Sequence, residues 1–92
     1  MGNMAGTMER RGRRIRYVID PDRLYELRML KGWTQTTLAK NAGLVKATIS
    51  LYESGMRRTP NPDTTRRVAR ALGVKPAEIL KREEVPETEE ER

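Results

Sequence analysis

A small all-α domain of five short helices is the fold class that this 92-residue sequence predicts, and three observations carry it. Asp-Pro and Asn-Pro pairs stand where apolar stretches begin and glycines stand where they end, as helix caps and stops do. The connections between these stretches are short, as in a compact helical unit. Hydrophobic residues make up 36% of the chain and charged residues 35%, with one Trp and three Tyr, which suits helices around a thin core better than a β-sandwich. A chain of this length forms one unit, so its function lies on the surface of that unit.

Residues 1–19 read as a basic N-terminal arm. Its first part is rich in Gly, Met, Asn and Arg without periodicity and is expected to be disordered. The stretch RIRYVID alternates Ile15 and Tyr17 with Arg14 and Arg16, a period of two that fits a short strand or an extended lead-in. Residues 20–82 form the domain proper. Asp20 caps helix one, Pro21 takes its first position, Leu24, Leu27 and Leu30 form its apolar side, and Gly32 stops it. Thr34 caps helix two, from Gln35 to Asn41, which buries Leu38 and Ala39, and Gly43 supplies a residue without Cβ for a tight turn. Helix three runs from Lys46 to Ser54 and stops at Gly55. After the basic loop MRRTP, Asn61 and Pro62 open helix four, which continues through Val68, Ala69 and Leu72 to Gly73. Pro76 opens a fifth short helix with Ile79 and Leu80 apolar, and residues 83–92, EEVPETEEER, read as a separate acidic tail.

Charge divides along the chain. Residues 1–82 hold 18 Lys and Arg against 7 Asp and Glu, a net charge of +11, whereas residues 83–92 hold six Glu and one Arg, a net charge of −5; together they give the net +6. A basic body of this size is the electrostatic footprint of a partner that is polyanionic. The sequence contains no Cys and no His, which excludes disulfides, zinc fingers and His-based acid-base catalysis, so neither an enzyme nor a metal or cofactor site is expected. No apolar run reaches the roughly 18 residues that span a membrane, and the N-terminus lacks the apolar stretch of a signal peptide, so a cytoplasmic protein is expected.

Helix three carries the strongest functional signal. At about 100° per residue, Lys46, Ala47, Ser50, Leu51 and Ser54 fall within one sector, while Ile49 and Tyr52 lie on the other, mostly apolar side. The first sector is short-chained at its middle, with a cation at its N-terminal end. Such a face allows a helix to sit deep in a groove, and the B-DNA major groove, about 12 Å wide, admits one helix.

The span from Gln35 to Glu53 resembles the lambda-repressor-like, Cro-type (XRE) helix-turn-helix family. The matching residues are Gly32-Trp33-Thr34-Gln35, Leu38-Ala39, Gly43-Leu44, Ile49, Tyr52-Glu53, Gly55, Pro60 and the segment Ala69-Arg70-Ala71-Leu72-Gly73-Val74, and the resemblance covers residues 22–81. It implies a five-helix domain whose third helix lies in the major groove of double-stranded DNA, in a homodimer on a palindromic operator. By position, Lys46, Ala47, Ser50 and Leu51 match base-reading sites. Gln35 matches a phosphate contact at a helix start, where free N–H groups favour an anion, Ser54 and Arg57 match the contacts just after helix three, and Thr34 and Arg58 are expected to contact phosphate beside them. Arg28 and Glu53 match an internal ion pair, and a carboxylate beside a DNA-facing surface has its own motive for being paired. Two positions depart from the family's habit. Val45 stands at the helix-three N-cap, where it cannot cap, and Thr65 replaces a Leu of helix four, which thins the core there.

Some residues carry a plainer reading beside the functional one. Trp33, at the first turn between helices, reads as a core plug. Arg13, Arg14 and Arg16 follow phosphates or enter a minor groove if the arm touches DNA, and are a solvated tail if it does not. Ile79 and Leu80 either close the core or supply dimer contacts. The function expected is sequence-specific DNA binding by a small bacterial or phage-type transcriptional regulator, in the first place a repressor. The alternative is an antitoxin or bridging module whose tails bind a partner protein.

Overall fold

Capping chemistry sets the helix boundaries. In the computed structural model, which describes residues 13–86, Asp20 Oδ1 accepts from the N–H of Arg23 at 3.1 Å and Pro21 begins α1 (Pro21–Leu30). Thr34 Oγ1 accepts from the N–H of Thr37 at 3.1 Å and opens α2 (Gln35–Ala42). α3 (Lys46–Ser54) starts at Val45 with no side-chain cap, and Val45 is 68% exposed. Asn61 Oδ1 accepts from the N–H groups of Asp63 and Thr64 at 3.0 and 3.1 Å and opens α4 (Pro62–Leu72). These caps satisfy amides that have no acceptor inside the helix.

The turn between α2 and α3 depends on Gly43. Its φ of 72° is left-handed, a backbone conformation that favours glycine. The N–H of Leu44 then donates to the Ala39 carbonyl at 2.8 Å, which closes the end of α2 and aims the chain into α3.

The described chain is not all-α, and it does not hold five α-helices. After α4, residues Pro76–Ile79 form a single 3₁₀ turn, Leu80 adopts extended angles, and β2 (Leu80–Pro86) pairs antiparallel with β1 (Arg13–Ile19). Four α-helices, one 3₁₀ turn and a two-stranded sheet make up the described fold. The segment LKREEVP has too little apolar surface to continue as a helix on the core, and the alternating strand beside it offers a complement. Residues 13–19 of the basic arm and 83–86 of the acidic segment are therefore the two sides of one ladder. Arg10, Arg11 and residues 87–92 lie outside the described residues.

In this ladder, Arg14 faces Val85, Arg16 faces Glu83 and Val18 faces Lys81, while Ile15, Tyr17 and Ile19 face Glu84, Arg82 and Leu80. Opposed residues share a face of the sheet, and successive residues alternate faces. Val18 and Val85, both 2% exposed, mark the face turned to the domain; Ile15 at 43% and Tyr17 at 58% mark the outer one, and only at Ile19, the end of β1, does that second face enter the core. The loop after α3 runs along β1, where the N–H of Ile19 donates to the Arg58 carbonyl at 2.9 Å.

Ile19, Leu24, Leu38, Ile49, Val68 and Ile79 are fully buried, and with Tyr52, Ala39, Ala69 and Leu72 they form the core. Trp33 is partly buried against it, with Lys31 Nζ 5.1 Å above the ring. Leu30 is not part of this core; it is 75% exposed, and Arg28 occupies the buried position one turn after Leu24. Steps of three residues drift around a helix with about 3.6 residues per turn, so Leu30 lies about 120° away from Leu24. Thr65 is buried, and its hydroxyl has no hydrogen-bond partner among the described residues.

Candidate nucleic-acid interface

The side of α3 away from the core is open. Ile49 and Tyr52 are buried, which turns Lys46, Ala47 and Ser50 outward as exposed residues, with Leu51 half-buried at the edge. None of the three exposed side chains except Lys46 extends far from the helix, so the backbone of α3 can approach another body closely.

Lys46 borders a groove of about 450 Å³ that is also lined by Arg28, Met29, Gly32, Trp33, Thr34, Gln35 and Thr36. This groove includes the first turn of α2, which carries no acidic residue. The partial positive charge of the helix start is thus uncompensated by its own side chains and lies beside the Lys46 cation, an arrangement suited to an anion.

A hydrogen-bond network fixes the groove from beneath. Arg28 donates to Glu53 through Nε at 2.7 Å and through Nη2 at 2.9 Å, and through Nη1 to the Trp33 carbonyl at 2.7 Å. Gln35 Nε2 donates to Glu53 Oε1 at 3.1 Å. Helices α1, α2 and α3 are therefore tied at one carboxylate. The hydrogen bond to Glu53 pushes Arg28 above its ordinary pKa, against the opposing effect of burial. The Tyr25 ring lies 5.3 Å from the same guanidinium.

The residues that follow α3 are used in three ways. Ser54 Oγ donates to the Leu51 carbonyl at 3.0 Å and accepts from the N–H of Met56 at 3.2 Å, so its hydroxyl closes the helix end. Arg57 is exposed. Arg58 donates through Nη2 to Glu83 Oε2, and Arg16 on β1 donates to Oε1 of the same carboxylate through Nε at 3.1 Å and Nη2 at 3.0 Å. The hydrogen bonds from Arg58 first, then Arg16, hold the Glu83 carboxyl below its ordinary pKa.

The structure thus gathers Lys46, Ala47, Ser50 and Leu51 on one face, with Thr34 and Gln35 at one end of it and Arg57 and Arg58 at the other. Arg16 is brought beside Arg58 by the sheet, and Arg14 lies on the same strand face. Ile79, at 1% exposed, fills the core and presents no surface to a second chain, while Leu80 is partly buried at the edge. Glu83 is the residue that sequence reasoning missed. Its signal is the match between the alternating Arg14 and Arg16 and the acids of KREEV, visible only when the two ends of the chain are compared as strands. Among the described residues, no group of three or more His, Cys, Asp or Glu is placed to hold a metal ion, and no helix is long and apolar enough to cross a membrane.

Comparisons with known proteins bear on this geometry. The profile of the family described as helix-turn-helix matches residues 24–79. Among solved structures, the restriction-modification controller protein C.AhdI from Aeromonas hydrophila is 36% identical, over 64% of this chain and 88% of that one, with a TM-score of 0.60. The hypothetical transcription factor NHTF from Neisseria is 27% identical, over 76% of this chain and 75% of that one, with a TM-score of 0.61. No curated protein matches the chain.

Proposed function

The chain belongs to the helix-turn-helix family, and from this premise we propose that it is a DNA-binding transcription regulator that reads double-stranded DNA with α3. The single observation that carries the reading is the open, short-chained face of Lys46, Ala47, Ser50 and Leu51 beside the acid-free start of α2. With α3 in the major groove, Lys46 donates to a base edge, Ala47 and Leu51 offer apolar contact to a thymine methyl, and Ser50 makes a short polar contact. Thr34 and Gln35 hold a phosphate at the start of α2. Arg57 and Arg58, with Ser54 at the helix end, hold the backbone on the other side of the groove.

A single subunit makes few contacts, so the active species is a homodimer on a two-fold operator, its half-sites about one helical turn, or 34 Å, apart. The dimer contact falls at the shallow apolar groove of about 330 Å³ lined by Pro60, Pro62, Thr65, Arg66, Pro76 and Leu80, since Ile79 lies in the core. Occupying an operator, the protein acts as a repressor by occlusion, in the cytoplasm and without a cofactor.

Selection of bound duplexes from a random pool tests this reading. The expected winner is a palindrome with two half-sites. A pool that shows no enrichment after repeated rounds contradicts sequence-specific binding.

A further inference from the structure

Two arginines beside the proposed DNA face do not face solvent alone. Arg58 follows the recognition helix and Arg16 lies on β1, yet both donate to the one carboxylate of Glu83. Their side chains are 43% and 48% exposed and that of Glu83 is 28% exposed, so the cluster sits at the surface where a phosphate can reach it. The backbone around it is held. The N–H of Ile19 donates to the Arg58 carbonyl, and Val18 and Val85 bury the strand face that carries Glu83. An exchange of partners at Arg58 therefore requires only that its side chain swing, with the loop and the sheet staying in place.

A carboxylate and a phosphate oxygen are alternative acceptors for the same guanidinium, and both form charge-assisted hydrogen bonds. An exposed guanidinium-carboxylate pair is held weakly because water and salt screen it, so a phosphate can displace it. The displacement nonetheless lowers the net gain from each such contact. Arg57, by contrast, makes no hydrogen bond or ion pair to an acid among the described residues, and the neighbouring positions differ in this respect.

We propose that Glu83 is a resident competitor of the DNA phosphate for Arg58, built into β2, and that it sets how tightly the protein holds DNA of any sequence. This rests on the DNA-binding reading above. In the free protein Glu83 neutralises part of the basic surface beside α3. On DNA, Arg58 turns to the phosphate while Arg16 keeps the carboxylate, so the sheet remains closed.

Fluorescence anisotropy of a labelled random-sequence duplex, titrated with the full chain at salt concentrations from about 50 to 200 mM, tests the proposal. Glu83→Gln keeps a hydrogen-bond acceptor but removes the charge. It should bind more tightly than wild type at low salt and lose affinity more steeply as salt rises. The gain at low salt, at most about 5-fold per subunit for the loss of an exposed competing pair, should fade as salt screens that pair. Glu84→Gln makes the same charge change on the opposite sheet face and should leave the slope near that of wild type. In an Arg58→Gln background, Glu83→Gln should no longer raise affinity. Thermal melting of each variant separates a loosened sheet from a changed charge.

Equal curves for wild type and Glu83→Gln overturn the proposal, as does a gain of the same size in Glu84→Gln or one that persists without Arg58. If the wild-type chain binds no duplex at any salt concentration, the reading of function fails instead.

Discussion

Glu53 on α3 accepts two hydrogen bonds from Arg28 on α1, at 2.7 and 2.9 Å, with the two side chains only 6% and 9% exposed. Because the pair is nearly dry, removing one partner leaves the other charge buried without compensation. Arg28→Met or Glu53→Leu alone should destabilise the fold by about 3 to 5 kcal/mol, and the double variant should recover much of the loss. Urea denaturation of the four proteins checks this; additive losses would show that the two charges do not interact.

Thr65 presents the opposite case. Its hydroxyl is buried with no partner among the described residues. A buried, unsatisfied hydroxyl costs about 1 to 3 kcal/mol, whereas an isosteric apolar group does not. Thr65→Val should therefore raise stability, by about 1 kcal/mol. A lower urea midpoint for the variant would mean that the hydroxyl is satisfied in solution.

Glu83 gives the fold a defined acid response. Its carboxyl pKa is held below the ordinary value by Arg58 and then Arg16. A depressed folded pKa contributes stability above the unfolded pKa, and that contribution is lost as pH falls through the folded value. Wild type should exceed Glu83→Gln in stability at neutral pH, and the gap should close as the solution is acidified below the ordinary carboxylate range, about 4.3. Urea midpoints of both proteins from pH 3 to 7 report it, and a gap independent of pH would contradict the charge-based origin.

Arg57 should act on DNA through phosphate alone. Arg57→Ala is expected to weaken binding to operator and random duplex alike and to reduce the steepness of the salt dependence by about one unit per subunit. An unchanged slope would remove the loop after α3 from the interface.

Much of the helical frame was legible because capping is local. Asp20-Pro21, Thr34, Asn61-Pro62, Gly43 and Gly73 act within a few residues of themselves, and each stands at an observed helix boundary. The exposed face of α3 follows from the angular spacing of Lys46, Ala47 and Ser50 against Ile49 and Tyr52. Of the sheet, the alternation in RIRYVID pointed to β1, but β2 and the pairing were not legible. Arg16 and Glu83 are 67 residues apart, and β2 is so rich in charge that its composition imitates a solvated tail. Nothing local distinguishes Glu83, which bridges two arginines, from an acid in water. The same limit applies to polar side chains: that the Gln35 amide donates to Glu53 and the Ser54 hydroxyl to the Leu51 carbonyl does not follow from their positions in the sequence. The leucine spacing of α1 misled in a simpler way, since Leu24, Leu27 and Leu30 do not share a face once the helical drift is followed.

Whether the outward face of α3 reads base edges is decided by the affinity of Lys46→Ala for the selected operator and for a scrambled duplex. A loss of about 1 to 3 kcal/mol is expected on the operator, with little change on the scrambled duplex and relaxed preference at one base pair in each half-site. An equal loss on both duplexes would make Lys46 a phosphate contact and rule out base reading by this residue.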